Sequence, residues 1–149
     1  MKIFPSQSVP EAFLVMHDPI DRSRKWQIAA CATNGAEFQA HRLSSTLVLV
    51  DVYGELDMIS TPAFGQFVES QLEPQRRLII DLSTLDFVGT TALGVLSDVG
   101  RIAPRLGTDW MLVTGRAISR LLHAAGLENQ YPTATSVDLA VAALRAGRN

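Results

Sequence analysis

Two adjacent threonines, Thr90 and Thr91, stand in the run Phe87-Val88-Gly89-Thr90-Thr91-Ala92-Leu93-Gly94, where a helical period begins. Hydroxyls at a helix start lie beside unpaired backbone N–H groups and the positive end of the macrodipole. That position suits a helix cap, and it also tolerates a phosphate, whose negative charge the same groups stabilise. Spacing alone favours the cap. A second loop, Gly54-Glu55-Leu56-Asp57, follows a strand-like run and precedes a capped helix. Asp57 there reads equally as a turn residue and as part of a partner surface. Both loops would sit at the carboxyl ends of strands, where open α/β sheets meet their ligands.

The other reactive side chains point away from catalysis. Asp81 ends a buried strand and is expected to hydrogen-bond the next loop, while Asp86 reads as a solvated loop carboxylate. His17, His41 and His123 are scattered without metal-ligand spacing, and the single cysteine, Cys31, permits neither an internal disulfide nor a thiolate cluster. Trp110 reads as core packing. Arg101, Arg105, Arg116 and Arg120 form a possible basic patch that solvated helix faces explain as well. There is no Gly-rich phosphate loop, no Gly-x-Ser-x-Gly elbow and no His/Asp/Ser arrangement of readable spacing. The expectation is a protein that is not an enzyme and holds neither metal nor cofactor.

Composition agrees. The chain has 149 residues, with thirteen Lys+Arg against fifteen Asp+Glu, a formal charge of -2 and 47% hydrophobic residues. That is an ordinary globular mixture, long enough for one good core. It lacks the basic excess that direct nucleic-acid binding requires. Met1–Pro10 carries one lysine and no apolar stretch fit for a signal-peptide core, and no apolar run nears the roughly 20 residues of a bilayer-spanning helix. With a free cysteine, these features point to the cytoplasm and to no membrane insertion.

The elements that must position the two loops follow from periodicity. Residues 1–36 read as a partly irregular extension, with Arg22, Arg24 and Lys25 as a basic cluster; it is expected to pack on the core through Phe13, Leu14 and Trp26. Trp26–Ala30 fits a strand or a helical turn. From Glu37 the pattern is regular: Glu37–Leu43 and Thr46–Tyr53 form a hairpin, with Gly54 ending the second strand. Thr61 is the expected cap of a helix with Pro62 at its first position and Phe64, Phe67, Val68 and Leu72 at helical spacing. Arg77–Leu82 and Asp109–Thr114 are buried strands. Thr90–Arg105 is a helix with Leu93, Leu96, Val99, Ala103 and Leu106 on one face. Arg116–Ala125 is a third helix ending at Gly126. Tyr131 falls in a short last strand, and Ser136 caps a closing helix, Val137–Ala146. The order β-β-α-β-α-β-α-(β)-α implies a single α/β domain over residues 37–149, a mixed, mostly parallel sheet of about four to five strands with helices packed on it.

The runs GELD (Gly54–Asp57) and IIDLSTLDFVGTTALGVL (Ile79–Leu96) resemble the STAS domain of anti-sigma factor antagonists. That family shows a strand ending Gly-x-Leu-Asp, a strand reading roughly Val-Asp-Leu-Ser, then Phe-x-Asp-Ser-Ser-Gly-Leu and an amphipathic helix. The resemblance covers about residues 37–146 and implies the same fold. It puts the family's phosphorylatable serine at Thr90, its second serine at Thr91, its glycine at Ala92 and its leucine at Leu93, and Gly94 also matches. Gly89 stands where the family has aspartate, which is the main departure. The resemblance implies a partner, an anti-sigma factor with a histidine-kinase-like ATPase fold. The chain would bind it to release a sigma factor, and phosphorylation at Thr90 would end the interaction. The expected partner surface comprises Glu55, Asp57, Gly89, Thr90, Thr91, Gly94, Val95 and Asp98. The alternative is a STAS binding module that is not phosphorylated and holds a small ligand or nucleotide or serves as a scaffold. The oligomeric state is left open.

Overall fold

The computed structural model describes residues 26–147. Its elements run β1 (Trp26–Thr33), β2 (Ala36–Arg42), β3 (Leu47–Leu56), α1 (Thr61–Gln71), β4 (Arg77–Asp81), β5 (Phe87–Val88), α2 (Ala92–Leu106), β6 (Asp109–Val113), α3 (Arg116–Ala124), β7 (Thr133–Ala134) and α4 (Val137–Gly147). The strands lie in the order β1-β2-β3-β4-β6-β7, with β5 alongside β3. The β1-β2-β3 meander is antiparallel and every other pairing is parallel. The α/β architecture and the mixed, mostly parallel sheet are those expected from the sequence.

The sheet has seven strands rather than four to five. The two extra strands have weak local signals. In β1, Ala29 and Cys31 face the core while Ala30 and Ala32 meet solvent, and the alternation breaks at a register shift between Gln27 and Ala29. Strand β5 is two residues long and is held by pairing Glu55 with Phe87 and Leu56 with Val88. Phe13 and Leu14, expected to pack on the core, lie outside the described residues.

Helices cover both faces of the sheet, as parallel crossovers require. On one face, α1, α2 and α3 bury Phe64, Phe67, Val68, Leu96, Val99, Ile118 and Leu122 against Phe38, Val50, Val52, Ile80 and Leu112. The Phe38 ring sits 5.7 Å from both Phe64 and Phe67. On the other face, α4 packs Val137, Ala140, Val141 and Leu144 on Leu47, Leu49, Ile79, Met111 and Val113.

Several boundaries move by a residue or two. Ser60, not Thr61, is the N-cap of α1, and α2 starts at Ala92 with Thr91 as its N-cap. Tyr131 precedes β7 and stacks on Trp110 at 5.9 Å instead of pairing as a strand residue. Ser136 caps α4 as expected, its hydroxyl accepting the Leu139 N–H at 3.1 Å. Gly54 does not end β3. The strand continues through it to Leu56, with Gly54 in the left-handed region at φ 92.

Candidate functional site

Both loops singled out in the sequence converge at one end of the sheet. The segment after β3 turns sharply because Asp57 organises it. Its Oδ1 accepts the backbone N–H groups of Ile59 and Ser60, each at 2.9 Å, and lies 3.1 Å from the Ser60 hydroxyl. The Asp57 carbonyl in turn accepts the Thr61 N–H at 3.0 Å and the Thr61 hydroxyl at 2.6 Å. This is the turn role that the sequence left balanced against partner contact. It holds Asp57's carboxyl below its ordinary pKa, chiefly through the bond from the Ser60 N–H, then through those from the Ser60 hydroxyl and the Ile59 N–H, against a desolvation effect that opposes it.

A carboxyl whose folded pKa is depressed stabilises the fold at pH above its unfolded pKa, and that contribution vanishes as pH falls through the folded value. Acid titration of thermal stability should therefore show a limb below the usual carboxylate range that Asp57→Asn loses. An unchanged acid limb in that variant would remove Asp57 from the account.

The second loop is tied to the first through β5. The Gly89 N–H donates to the Leu56 carbonyl at 2.7 Å and the Asp86 N–H to the Gly54 carbonyl at 2.8 Å. The two hydroxyls that follow differ in their bonding. Thr91 Oγ1 lies 3.0 Å from Thr61 Oγ1. Because the Thr61 proton already goes to the Asp57 carbonyl, Thr91 must be the donor, so a proton chain runs Thr91 to Thr61 to Asp57. Thr90 is exposed, and its side chain makes no hydrogen bond among the described residues. A Thr91→Val variant should lose about 1 kcal/mol of stability in urea unfolding, whereas Thr90→Val should lose almost nothing. Equal losses would refute the distinction.

Around these residues lies an open concavity of about 630 Å³, lined by the 57–59 loop, residues 87–91 and Leu121 of α3. Its rim is apolar to a degree unusual for a protein surface. Met58 is 74% exposed, Ile59 69% and Phe87 49%, which makes these three half of the large exposed hydrophobics among the described residues. Sequence reasoning missed Met58 and Ile59. The available signal was a pair of large apolar residues in a turn, where neither helix nor strand period buries them. Leu121 of α3 is half-buried, packing against the core while it contributes to the concavity.

The remaining expected partner residues scatter. Glu55 is exposed on β3, and Gly94 faces open space near the start of α2. Asp98 is engaged with Arg101 on its own helix at 2.8 Å. Val95 points inward, 9% exposed, so it is not offered to a partner; its side chain is the nearest neighbour a Cβ on Gly65 would meet. At Gly89, a Cβ would make only ordinary contacts, at 3.4 Å to the Leu56 carbonyl and to the Phe87 ring. The departure from the family's aspartate is thus chemical and not steric. Asp81 accepts the Ser83 N–H at 2.9 Å and the Ser83 hydroxyl at 2.6 Å, the structural bond expected of it. No group of three or more metal-ligating side chains occurs among the described residues, and none of their helices is long and apolar enough to cross a membrane.

Comparison with known proteins gives a consistent picture. The family model of the STAS domain matches residues 37–140. The chain is 28% identical over 100 residues to the anti-sigma-F factor antagonist RsfA of Mycobacterium tuberculosis, covering 64% of this chain and 78% of that protein. Among solved structures, an anti-sigma factor antagonist from Mycobacterium paratuberculosis superposes with a TM-score of 0.68 at 28% identity, over 76% of this chain and 97% of that one. The unphosphorylated anti-sigma factor antagonist SpoIIAA gives a TM-score of 0.61 at 17% identity, over 73% of this chain and 96% of that one, a likeness of fold. With the two loops meeting at one end of a sheet of this topology, and the family match spanning most of the chain, the protein belongs to the STAS domain family.

Proposed function

We propose that the protein is an anti-sigma factor antagonist acting in the cytoplasm, which binds a kinase-type anti-sigma factor through the apolar concavity and is released by phosphorylation at Thr90. The working unit is residues 37–149, with β1 paired along its edge. The observation that carries the reading is the coincidence of Met58, Ile59 and Phe87, all exposed, with an unbonded threonine hydroxyl in the same concavity. Contiguous apolar surface rimmed by polar groups marks interaction sites. The mycobacterial relatives named as anti-sigma factor antagonists support the kind of partner.

The switch follows from placement. A phosphate on Thr90 adds about -1.5 to -2 charge at neutral pH. Beside the start of α2 the domain itself tolerates that charge. Within an apolar contact the same group must be desolvated, so the complex breaks while the fold survives. Thr91, already donating to Thr61, is the poorer acceptor of phosphate.

The test is intact-mass measurement after incubation with the cognate anti-sigma factor and ATP. One added phosphate on the wild type, none on Thr90→Ala, and retained binding by Thr90→Ala support the reading. No added phosphate, or phosphate kept by Thr90→Ala, overturns the switch. The volume of the concavity also suits a small apolar ligand. Native mass spectrometry of the purified protein detects such a ligand directly.

A further inference from the structure

The concavity beside Thr90 continues along β5 into a second one of about 480 Å³, and the two share Phe87, Val88 and Leu121. Arg116 and Arg120 line the extension. They stand four residues apart on α3 and so project from one helix face. Both are exposed, and among the described residues neither makes an ion pair or a side-chain hydrogen bond. Arg101, by contrast, is paired with Asp98, and Arg76 with Glu73. Asp86 lines the same extension, so it holds two guanidinium groups against one carboxylate, above a floor of Leu85, Phe87 and Val88.

We propose that this extension is a second contact for a protein partner, an acidic amphipathic segment of the anti-sigma factor. Its apolar side chains lie against Phe87 and Leu121, and its carboxylates pair with Arg116 and Arg120. The inference rests on the reading of the Thr90 concavity as the partner surface, and it adds which part of the partner is recognised and why phosphate expels it.

Two unpaired guanidinium groups beside an apolar floor suit planar carboxylates, which they engage through paired N–H donors. A nucleic-acid backbone is a poor occupant, because it needs a basic field and this chain carries a formal charge of -2. Phosphate at Thr90 would place its charge in the adjoining concavity. Like charge in the adjoining concavity repels the carboxylates lying on Arg116 and Arg120, the more strongly the lower the salt. Release then needs no change of fold, only like charge added to an occupied groove.

Calorimetric titration of the anti-sigma factor into the wild type, R116E/R120E and R101E, at low and high salt, tests this. The wild type should bind more weakly as salt rises. R116E/R120E should lose at least about tenfold in affinity and most of that salt dependence, R116K/R120K should restore most of the binding, and R101E should resemble the wild type. Binding by R116E/R120E within twofold of the wild type, with the salt slope unchanged, overturns the inference and leaves the Thr90 surface standing.

If the wild type itself does not bind, the reading of the Thr90 surface fails, and the groove is decided by amide chemical shifts. Added peptide of alternating Glu and Leu should perturb residues 85–88 and 116–121, and the same peptide with Gln for Glu should not. Equal shifts from both peptides, or shifts only from an RNA oligomer, refute the proposal.

Discussion

Replacing Ile59 with aspartate should weaken capture of the proposed anti-sigma factor partner by about 30- to 100-fold, the range of a central hot spot, with the melting temperature nearly unchanged. Ile59 is 69% exposed and its neighbour Met58 74%, so neither side chain contributes much to the core. Their apolar surface stands in water, an unfavourable exposure that the proposed partner would relieve by covering it. Both flank the turn that Asp57 holds rigid, which limits the entropy lost on binding. A carboxylate at position 59 would have to be desolvated within the contact, beside Phe87 and Leu121. Wild-type affinity in I59D would remove the concavity from the partner surface, and a large loss of stability would mean that the residue is structural.

The second large effect concerns the backbone that aligns both loops. Gly54 sits at φ 92, and a Cβ there would lie 2.2 Å from the Gly35 carbonyl oxygen. The same oxygen accepts the Glu55 N–H at 2.7 Å, and the Gly54 carbonyl accepts the Asp86 N–H. Gly54→Ala must therefore push apart the β2-β3 crossing or the turn at Gly35. It should cost about 3 kcal/mol or more through the clash and the left-handed strain together. Gly35→Ala provides the control. Its φ is 83 but nothing lies within 4 Å of the added Cβ, so only the strain remains, about 1 kcal/mol. Urea unfolding distinguishes the two. Equal losses would show that close approach is irrelevant. Partner binding by Gly54→Ala should also fall, because Glu55 and Asp86 both take their positions from it.

Local patterning made much of this legible. Phe64, Phe67 and Val68 recur at helical spacing and are buried. Ile118 and Leu122 are as well, because a helix that packs on a sheet needs one apolar stripe. Leu78–Ile80 and Trp110–Val113 are apolar throughout because parallel strands are covered on both faces. Val95, expected on the partner surface, is buried instead. It stands four residues before Val99 on the same buried face of α2, and α1 brings Gly65 against it, a contact between distant segments. Asp98, an exposed carboxylate in sequence, is occupied by Arg101 one turn on.

Read alone, the sequence determined the chemistry available: a threonine pair at a helix start, an aspartate in a turn, histidines and a cysteine without metal-ligand spacing, and an alternation of strands and helices that dictates an α/β sheet. These follow from residue type and short spacing, which act before the chain closes on itself. Tertiary structure alone decided which hydroxyl is free, since the bond from Thr91 to Thr61 spans thirty residues. It also decided that Met58, Ile59 and Phe87 share one exposed surface, and that Arg116 and Arg120 border it. Those are facts of juxtaposition. They depend on β5 pairing beside β3 and on α3 packing next to it, and no local period encodes such long-range closures.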